Sequence, residues 1–393
     1  MAQPNLADSP RPLICEMPAR PIIWILQEQL PKYRVPFFEQ LRRDLDGQGL
    51  ALVLTHAPAA SASLIPGRLP WACPAPFQRC GPLVWQRVLS RARTASLIIT
   101  PQESKYVFVP LLLFLRRWGG WKFAFWGHGK NFQARNPASL SERWKKFLSR
   151  RADWWFAYND LSAGVVRDLG FPAGRITTVM NSVDTATLTR LRATVTPSRV
   201  QGLKEAHGIR SENVVIYTGG LYPGKRIPFL LEACRLARRN VPDLTLLVIG
   251  LGPEAGDVER AAQTEPWIRY LGPMHDAEKA PFWAMSKLLL MPGGVGVVAV
   301  DSFALEVPMV TTACPHLHGP EIDYLQDGRN ARVVADWGNP AAYAQTMVTL
   351  LQDEAARRSL VQGCRQSAAD FSVEKMSRRF CDGVIRCLAS SPL

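Results

Sequence analysis

This chain of 393 residues has no hydrophobic run long enough to cross a membrane. A spanning helix needs about 20 consecutive, mostly apolar residues, and the nearest candidate, YVFVPLLLFL at residues 106–115, is much shorter and is interrupted by Pro110. Residues 1–20 also lack the apolar segment of a secretory signal. We therefore expect no membrane span, and we interpret residues 1–20 as a flexible tail.

The sequence also lacks the patterns of a metal site. Its eight cysteines include no CxxC pair, and its six histidines show no spacing that would complete a zinc site. Scattered cysteines in a chain of this size are typical of reduced thiols in the cytosol. We expect neither a metal nor another cofactor. Zinc-finger and RNP-type aromatic motifs are missing as well, which argues against a nucleic-acid-binding protein.

Positive charge is concentrated in the first half. The chain carries 47 Lys and Arg against 33 Asp and Glu, a net charge of +14. Residues 1–185 contain 24 basic and 12 acidic residues, net +12, whereas residues 186–393 contain 23 and 21, net +2. A basic half beside a near-neutral half indicates that the first half faces an acidic partner, for which anionic lipid, nucleic acid and a charged glycan are the candidates.

Short apolar runs alternate with helical patterns in both halves, which predicts parallel sheets covered by helices on both faces. The pattern changes near residues 181–201, where we place the linker. The predicted organisation is α/β, with two Rossmann-like, doubly wound domains facing a cleft. Its parts are a tail at 1–20, an acceptor domain at 21–185, a linker at 186–210, a nucleotide-sugar domain at 211–370, and a last helix at 371–393 that packs back on the first domain.

One stretch has the outline of an anion site. Residues 291–308, MPGGVGVVAVDSFALEVP, run from a glycine-rich turn into a short apolar helix with Asp301 at its start. Glycines allow close approach of the backbone to a ligand, and helix N-termini favour phosphate. The alternative is a turn between a strand and a helix that only packs.

Five motifs of the second half occur in order and in register: YTGGLYPGKRIPFLLEA, LLVIGLGPE, IRYLGPM, MPGGVGVVAVDSFA and HGPEIDYLQDGRNARVV. Together they resemble the GT-B glycosyltransferases of the large retaining family called family 4. The first half is similar more loosely, through PKYRVPFF, FWGHGKNFQ and NSVD. The resemblance implies a nucleotide-sugar donor held by the second domain, an acceptor held by the first, and metal-independent transfer with retention.

The resemblance also implies roles for single residues. Lys225 matches a lysine that binds the pyrophosphate, Asp301 a carboxylate that grips the ribose hydroxyls, and His128 a histidine that reaches the donor sugar; these three are the candidate catalytic residues. The remaining candidate donor-binding residues are Gly219, Gly220, Arg226, Gly250, Gly252, Pro253, Leu271, Gly293, Gly294, Val295, Gly296, Val297 and Glu321. Within that list, the amides of residues 294–297 are expected to face the sugar and the phosphates.

Three positions depart from the family pattern. Gly220 stands where many relatives have an arginine, and Gly293 stands where the family has the first glutamate of its Glu-x7-Glu pair. Glu306 occupies a position usually held by glycine, where a left-handed backbone would cost roughly 1 kcal/mol. These departures leave open a catalytically silent GT-B subunit that binds nucleotide or a partner enzyme. Epimerases and phosphorylases with this fold match the run of motifs less well.

A basic aromatic segment lies before the linker. Residues 139–155, SLSERWKKFLSRRADWW, begin with a capping-box pattern and then place Trp144, Phe147, Leu148 and Trp155 near one side of a predicted helix. This pattern is typical of an interfacial helix, although the apolar side could equally face its own sheet. The candidate residues for acceptor or anionic-membrane contact are Tyr33, Arg34, Trp144, Lys145, Lys146 and Arg150.

The function expected from these observations is a retaining glycosyltransferase that uses a UDP- or GDP-sugar. Its acceptor would be lipid-linked or a polysaccharide in bacterial surface-glycan assembly, such as that of lipopolysaccharide. We expect a cytoplasmic protein that is peripheral on the inner face of the membrane and binds no nucleic acid.

Overall fold

The structure is a computed structural model that describes residues 20–58, 69–130 and 140–391, with only the backbone described at 140–142. The predicted tail, except for Arg20, and Ser139 of the predicted capping box lie outside these residues. The first half contains strands β1 (Ile22–Gln27), β2 (Ala51–His56), β3 (Cys73–Pro74), β4 (Gln78–Cys80), β5 (Leu83–Trp85), β6 (Leu97–Pro101), β7 (Lys122–Gly127), β8 (Trp154–Ala157) and β9 (Ile176–Thr178). Its helices are α1 (Val35–Gly47), α2 (Leu89–Ala92), α3 (Phe108–Gly119), α4 (Leu140–Ser149) and α5 (Asp160–Asp168), with 3-10 turns at Lys32–Arg34 and Ala173–Arg175.

Two helices, α6 (Thr185–Ala193) and α7 (Pro197–Ala206), lead into the second half. Its strands are β10 (Val214–Thr218), β11 (Thr245–Ile249), β12 (Ile268–Tyr270), β13 (Leu288–Met291), β14 (Met309–Thr312) and β15 (Ala331–Val334). Its helices are α8 (Ile227–Arg238), α9 (Ala255–Thr264), α10 (Asp276–Ala284), α11 (Val298–Ala304), α12 (Pro340–Gln352), α13 (Glu354–Ala368) and α14 (Val373–Ala389), with 3-10 turns at Pro223–Lys225 and Pro320–Tyr324.

The first sheet has the strand order β3-β2-β1-β6-β7-β8-β9 and is parallel throughout. Strands β4 and β5 form a separate antiparallel hairpin. Alternate residues of the central strands enter two cores on opposite faces of the sheet, so nearly every strand residue is buried. Helices α1 and α14 cover one face, and α2 to α5 contribute to the other. Continuous apolar strands are the sequence pattern that such two-sided burial requires.

The second sheet has the order β12-β11-β10-β13-β14-β15, and its strands are parallel as well. The chain runs outward from β10 to one edge and then from β13 to the other. The loops that follow the neighbouring strands β10 and β13 therefore lead away in opposite directions. This position is the topological switch point of the sheet, where open α/β sheets bind ligands. The predicted GT-B architecture of two Rossmann-like domains is confirmed.

Helix α14 belongs to the core of the first domain although it ends the chain. Ser372 caps it by accepting a hydrogen bond from the amide of Lys375 over 3.2 Å. The ring of Phe380 stacks on Phe156 of β8 with centroids 4.1 Å apart, and Phe380 is fully buried. The chain thus crosses between the domains twice, once before α6 and once before α14.

Hydrogen bonds join the two domains beside the first crossing. Asn159 donates to the carbonyl of Pro320, and Asn181 donates to the carboxylate of Glu321 over 2.6 Å. The hydroxyl of Tyr324 donates to the carbonyl of Asn181 over 3.1 Å. The turn Pro320–Tyr324 of the second domain is therefore tied to the first.

The predicted helix at 139–155 is wrong in its second half. Helix α4 ends at Ser149, and Trp155 lies in β8, where it is fully buried. Leu148 is buried too, so only Trp144 and Phe147 of the predicted apolar side face solvent. A β-like run that follows a helix directly continues its apolar pattern, and the pattern alone does not mark the boundary.

Candidate functional site

Lys225 lies in the crevice between the loops that follow β10 and β13. Its ammonium group donates to the carbonyl of Gly294 and is 3.8 Å from Sδ of Met291. The side chain is 6% exposed. Burial lowers the pKa of Lys225 to about 8, although Glu321 acts in the opposite direction. An anion would stabilise the desolvated ammonium group of Lys225 more than the neutral carbonyl of Gly294 does.

Three loops at the carboxyl ends of β10, β11 and β12 are joined through their backbones. Gly250 donates to the carbonyl of Gly272 over 3.0 Å, and a Cβ atom on Gly250 would stand 1.9 Å from the carbonyl oxygen of Gly219. A Cβ atom on Gly252 would stand 2.3 Å from the carbonyl oxygen of Leu221. Glycine is required at both positions because the backbones touch. Pro253 and Leu271, two further predicted donor residues, lie in the same loops.

The loop from Gly293 to Val297 supplies backbone donors. Within the described part of the chain, the amides of Gly294 and Gly296 have no hydrogen-bond partner. The amide of Val295, in contrast, donates to Nδ1 of His318 over 3.2 Å. The prediction that this amide faces the ligand is therefore wrong, because a side chain from a distant part of the sequence uses it.

His318 is the residue that positions this loop. Its Nε2 lies 2.8 Å from the carbonyl of Thr312, and burial lowers its pKa to about 4. The ring is therefore neutral near pH 7, with a proton on Nε2 and an acceptor at Nδ1. Its role is to hold the glycine loop.

Asp301 occupies the first turn of α11, half-buried. Burial raises its pKa to about 6, although Lys279 acts in the opposite direction. Lys279 also bonds Asp276 at 2.8 Å. We did not predict Lys279 from the sequence, and no local signal marks it, since it comes from the preceding helix.

The two glycine substitutions have structural consequences. A Cβ atom on Gly293 would stand 2.6 Å from the carbonyl oxygen of Gly224 and 3.1 Å from the side chain of Arg226. Arg226 itself has a left-handed backbone, φ 59°, and its guanidinium donates to the carbonyl of Trp337 over 2.7 Å. A Cβ atom on Gly220 would stand 2.7 Å from the ring of Tyr222. Neighbouring groups therefore occupy the space next to both glycines.

His128 follows β7 at the carboxyl edge of the first sheet. Its ring meets the ring of Tyr158 edge to face, with centroids 4.2 Å apart. Burial lowers its pKa to about 4, and the positive charges of Arg34 and Lys145 lower it further. His128 is therefore a neutral imidazole near pH 7.

Arg34 is 6% exposed, so its assignment to membrane contact is wrong. Its guanidinium packs over the rings of Trp126 and Tyr158 at 5.1 and 5.5 Å. It interacts electrostatically with Glu321 of the second domain, and Glu321 interacts in turn with Lys225. A line of charges thus links the neighbourhood of His128 to the switch point of the second sheet.

Glu321 is 5% exposed and accepts the hydrogen bond of Asn181. Burial raises its pKa, although Asn181, Arg34 and Lys225 act in the opposite direction. The carboxylate therefore joins the domains as well as lying near Lys225.

Glu28 marks the switch point of the first sheet and was missed in the sequence. It follows β1, is 7% exposed, and bonds Lys105 at 2.8 Å and the hydroxyl of Tyr106 at 3.1 Å; Arg79 is its third partner. Burial raises the pKa of Glu28, but these partners outweigh it and the pKa is lowered. The feature of the sequence that could have identified Glu28 is a carboxylate directly after a predicted strand.

The outer helices of the first domain expose aromatic side chains. Trp144 and Phe147 of α4 stack at 5.4 Å and are 43% and 47% exposed. Phe114 and Trp118 of α3 are 65% and 73% exposed. Lys146 and Arg150 are exposed as well, whereas Lys145 is half-buried.

The described helices include none with the length and apolar character needed to cross a membrane. Across residues 20–58, 69–130 and 140–391, no three His, Cys, Asp or Glu side chains are grouped so that they could hold a metal ion.

Comparisons with known proteins agree with this geometry. Residues 212–353 match the model of the family Glycosyl transferases group 1. D-inositol 3-phosphate glycosyltransferase of Salinispora arenicola is 27% identical over 222 residues, which are 51% of this chain and 47% of that protein. O-antigen chain mannosyltransferase B of Escherichia coli is 25% identical over 225 residues, 53% of this chain and 54% of that one. The chain thus spans about half the length of the curated relatives it matches.

Among solved structures, HepE of Anabaena in complex with UDP-glucose superposes with a TM-score of 0.70 at 17% identity, over 93% of this chain and 99% of HepE. That likeness covers both domains and concerns the fold. The family match covers the second domain, where the glycine loops, Lys225 and Asp301 lie. The second domain thus matches the Glycosyl transferases group 1 family over residues 212–353, and the two domains together have the GT-B fold.

Proposed function

We propose that this protein is a retaining glycosyltransferase that moves a sugar from a UDP- or GDP-sugar to a lipid-linked or polysaccharide acceptor without a metal ion. One observation carries the proposal. Lys225, desolvated and hydrogen-bonded to neutral groups, lies at the switch point of the second sheet beside the amides of Gly294 and Gly296. A cation and backbone donors together are what a diphosphate requires.

The transfer reaction requires few further groups from the protein. As the bond between sugar and phosphate breaks, negative charge grows on the diphosphate and the sugar becomes oxocarbenium-like. Positive charge and donors that are already in place stabilise this change most effectively. In this proposal, the ammonium of Lys225 leaves the carbonyl of Gly294 and bonds the diphosphate, while Asp301 accepts hydrogen bonds from the ribose hydroxyls.

The first domain would contribute from the opposite side. His128 is neutral near pH 7, so it serves as a hydrogen-bonding partner of the donor sugar and adds no charge. Arg34 supplies a cation between the domains, where the departing diphosphate and an incoming acceptor are both expected. The named relatives support this class of donor and acceptor, since they include an O-antigen mannosyltransferase and a structure with UDP-glucose bound.

Attachment to an anionic membrane is part of the proposal. The exposed aromatic pairs of α3 and α4 stand among basic residues, and both helices cover the same face of the first sheet. Aromatic and cationic groups on one surface are suited to the interface of an anionic bilayer. We place the protein on the cytoplasmic face of the inner membrane, acting in bacterial surface-glycan assembly.

A catalytically silent subunit is the second candidate, and the closed space beside Gly293 favours it. With no side chain at this position and Arg226 packed against it, the donor sugar lacks one carboxylate partner. Such a subunit would bind nucleotide without releasing nucleoside diphosphate from a nucleotide-sugar.

The experiment is a thermal-shift titration with UDP, GDP, ADP and CMP on the wild type, Lys225→Ala and the control Lys375→Ala, a half-buried lysine of α14 in the first domain. We expect one nucleoside diphosphate to stabilise the wild type and the control but not Lys225→Ala. Release of that diphosphate from its nucleotide-sugar in the presence of an acceptor would identify the enzyme, whereas binding without release would identify the silent subunit. No stabilisation by any nucleotide would overturn the enzyme and would leave the silent subunit that binds a partner enzyme.

A further inference from the structure

A cavity of about 460 Å³ lies in the first domain beside the β4–β5 hairpin, apart from the crevice at Lys225. Its volume is within the range of pockets that bind small molecules. The residues that give it its chemistry are Trp24, Thr55, Gln78, Gln86, Arg87 and Arg91. None of the residues described above as donor-binding takes part in it.

The floor of the cavity is a fixed polar cluster. Thr55, 1% exposed, accepts hydrogen bonds from Nε1 of Trp24 at 2.9 Å and from the guanidinium of Arg91 at 3.1 Å. Gln86 is 4% exposed, and its Oε1 accepts from the amide of Arg87 at 2.7 Å. The polar group of Gln86 that is left to bond a ligand is its Nε2 donor. Buried side chains held in this way keep their orientation when a ligand enters.

The charge of the cavity has one sign. Its lining contains Arg87 and Arg91 and no Asp or Glu. The nearby carboxylate of Glu28 is already bonded by Arg79, Lys105 and Tyr106. An anionic group entering the cavity therefore meets two cations and several donors without a competing acid.

The lining favours a sugar over a nucleobase. Trp24, the aromatic member of the set, is 1% exposed and donates to Thr55, so it offers little open ring surface for base stacking. Guanidinium groups, amides and a hydroxyl are instead the partners of hydroxyl groups and of a carboxylate or phosphate.

The cavity is also displaced from the site of transfer. Thr55 lies near the carboxyl end of β2, and His128 follows β7, three strands away in the sheet. Neighbouring strands are about 4.8 Å apart, so the separation is about 14 Å. A ligand that reaches both places must be several sugar units long.

We propose that this cavity is a distal acceptor subsite for an anionic sugar, bearing a carboxylate or a phosphate, within a longer glycan. The proposal rests on the proposed function, because it names the class of acceptor. It implies that acceptor recognition combines a catalytic end near His128 with an acidic residue bound by Arg87 and Arg91.

The test measures dissociation constants by isothermal titration calorimetry. The probes are a trisaccharide ending in glucuronate, its carboxyl-reduced counterpart, and the corresponding sugar phosphate. The proteins are the wild type, Arg87→Glu, Arg91→Gln, and the control Arg93→Glu, which alters an exposed arginine next to α2 that does not line the cavity. Arg87 and Arg91 are both exposed, so both variants are expected to fold.

We expect the wild type and the control to bind an anionic probe at least 10-fold more tightly than the reduced one, and Arg87→Glu to lose this preference. Preference for the glucuronate or for the phosphate identifies the anionic group. Equal binding of the charged and the reduced probes, or an unchanged preference in Arg87→Glu, would overturn the subsite. UDP or GDP binding at Lys225 is measured on the same variants, so loss of the subsite and loss of the donor site are told apart.

Discussion

The side-chain amide of Asn181 and the carboxylate of Glu321 are joined by a 2.6 Å hydrogen bond although 140 residues separate them. Asn181 directly precedes the crossing into the second domain, and its neighbour Met180 has a left-handed backbone, φ 56°. Both side chains are buried. The hydrogen bond therefore fixes the start of the first interdomain crossing relative to the second domain.

Removing the donor of this bond should cost more than neutralising its acceptor. Asn181→Ala leaves a buried carboxylate without its partner, and we expect a loss of about 1–3 kcal/mol in the free energy of unfolding. Glu321→Gln keeps an acceptor for Asn181 and removes a buried charge, so its loss should be smaller. Urea unfolding measures both, with the exposed Asn240→Ala as control. A greater loss in Glu321→Gln than in Asn181→Ala would contradict this account.

Donor affinity should depend on pH through Asp301 and Lys225. Below its pKa of about 6, Asp301 is protonated and loses its carboxylate acceptor; above its pKa of about 8, Lys225 loses its charge. We expect the affinity for UDP-glucose, or for GDP-mannose if GDP is the nucleotide bound, to be highest between these values. His128 and His318, with pKa values of about 4, do not titrate in this window.

Two variants distinguish the loss of donor affinity at low pH from the loss at high pH. The affinity is measured by calorimetric titration over a pH series. Lys225→Arg should abolish the loss of affinity at high pH, because arginine stays charged. Asp301→Asn should abolish the loss at low pH. Persistence of the high-pH limb in Lys225→Arg would show that another group titrates.

The last helix should be essential to the first domain. Phe380 is fully buried and stacks on Phe156, so Phe380→Ala is expected to cost about 3–5 kcal/mol in the free energy of unfolding. Ile385→Ala, on the exposed side of the same helix at 37% exposure, is the matched control and should cost much less. Chemical denaturation followed by tryptophan fluorescence measures the difference, and equal losses would show that α14 does not hold the first core.

Glu306 combines backbone strain with two ion pairs. Its φ is 57°, as the family's glycine preference led us to expect, and its carboxylate bonds Arg192 at 2.8 Å and Arg365 at 2.7 Å. Glu306→Ala and Glu306→Gly both lose the ion pairs, but the glycine variant also loses the strain. The glycine variant should therefore be more stable than the alanine variant by about 1 kcal/mol. Thermal unfolding of the two decides, and equal stability would mean that the backbone is relaxed.

The sequence by itself determined the features that depend on short stretches of chain. Apolar runs that alternate with helical patterns led to two parallel sheets, because strands buried on both faces consist mainly of apolar residues. The glycines at 250 and 252 and the motif around Lys225 placed the crevice of the second domain, since tight turns after strands need particular residues locally.

Only the tertiary structure decided which groups meet across long separations. The bond of His318 to the amide of Val295, the burial of Arg34 and the bond of Asn181 to Glu321 join residues that no local pattern relates. Propensity and periodicity act over a few residues, whereas burial and the pairing of polar groups are settled when the sheets and helices pack.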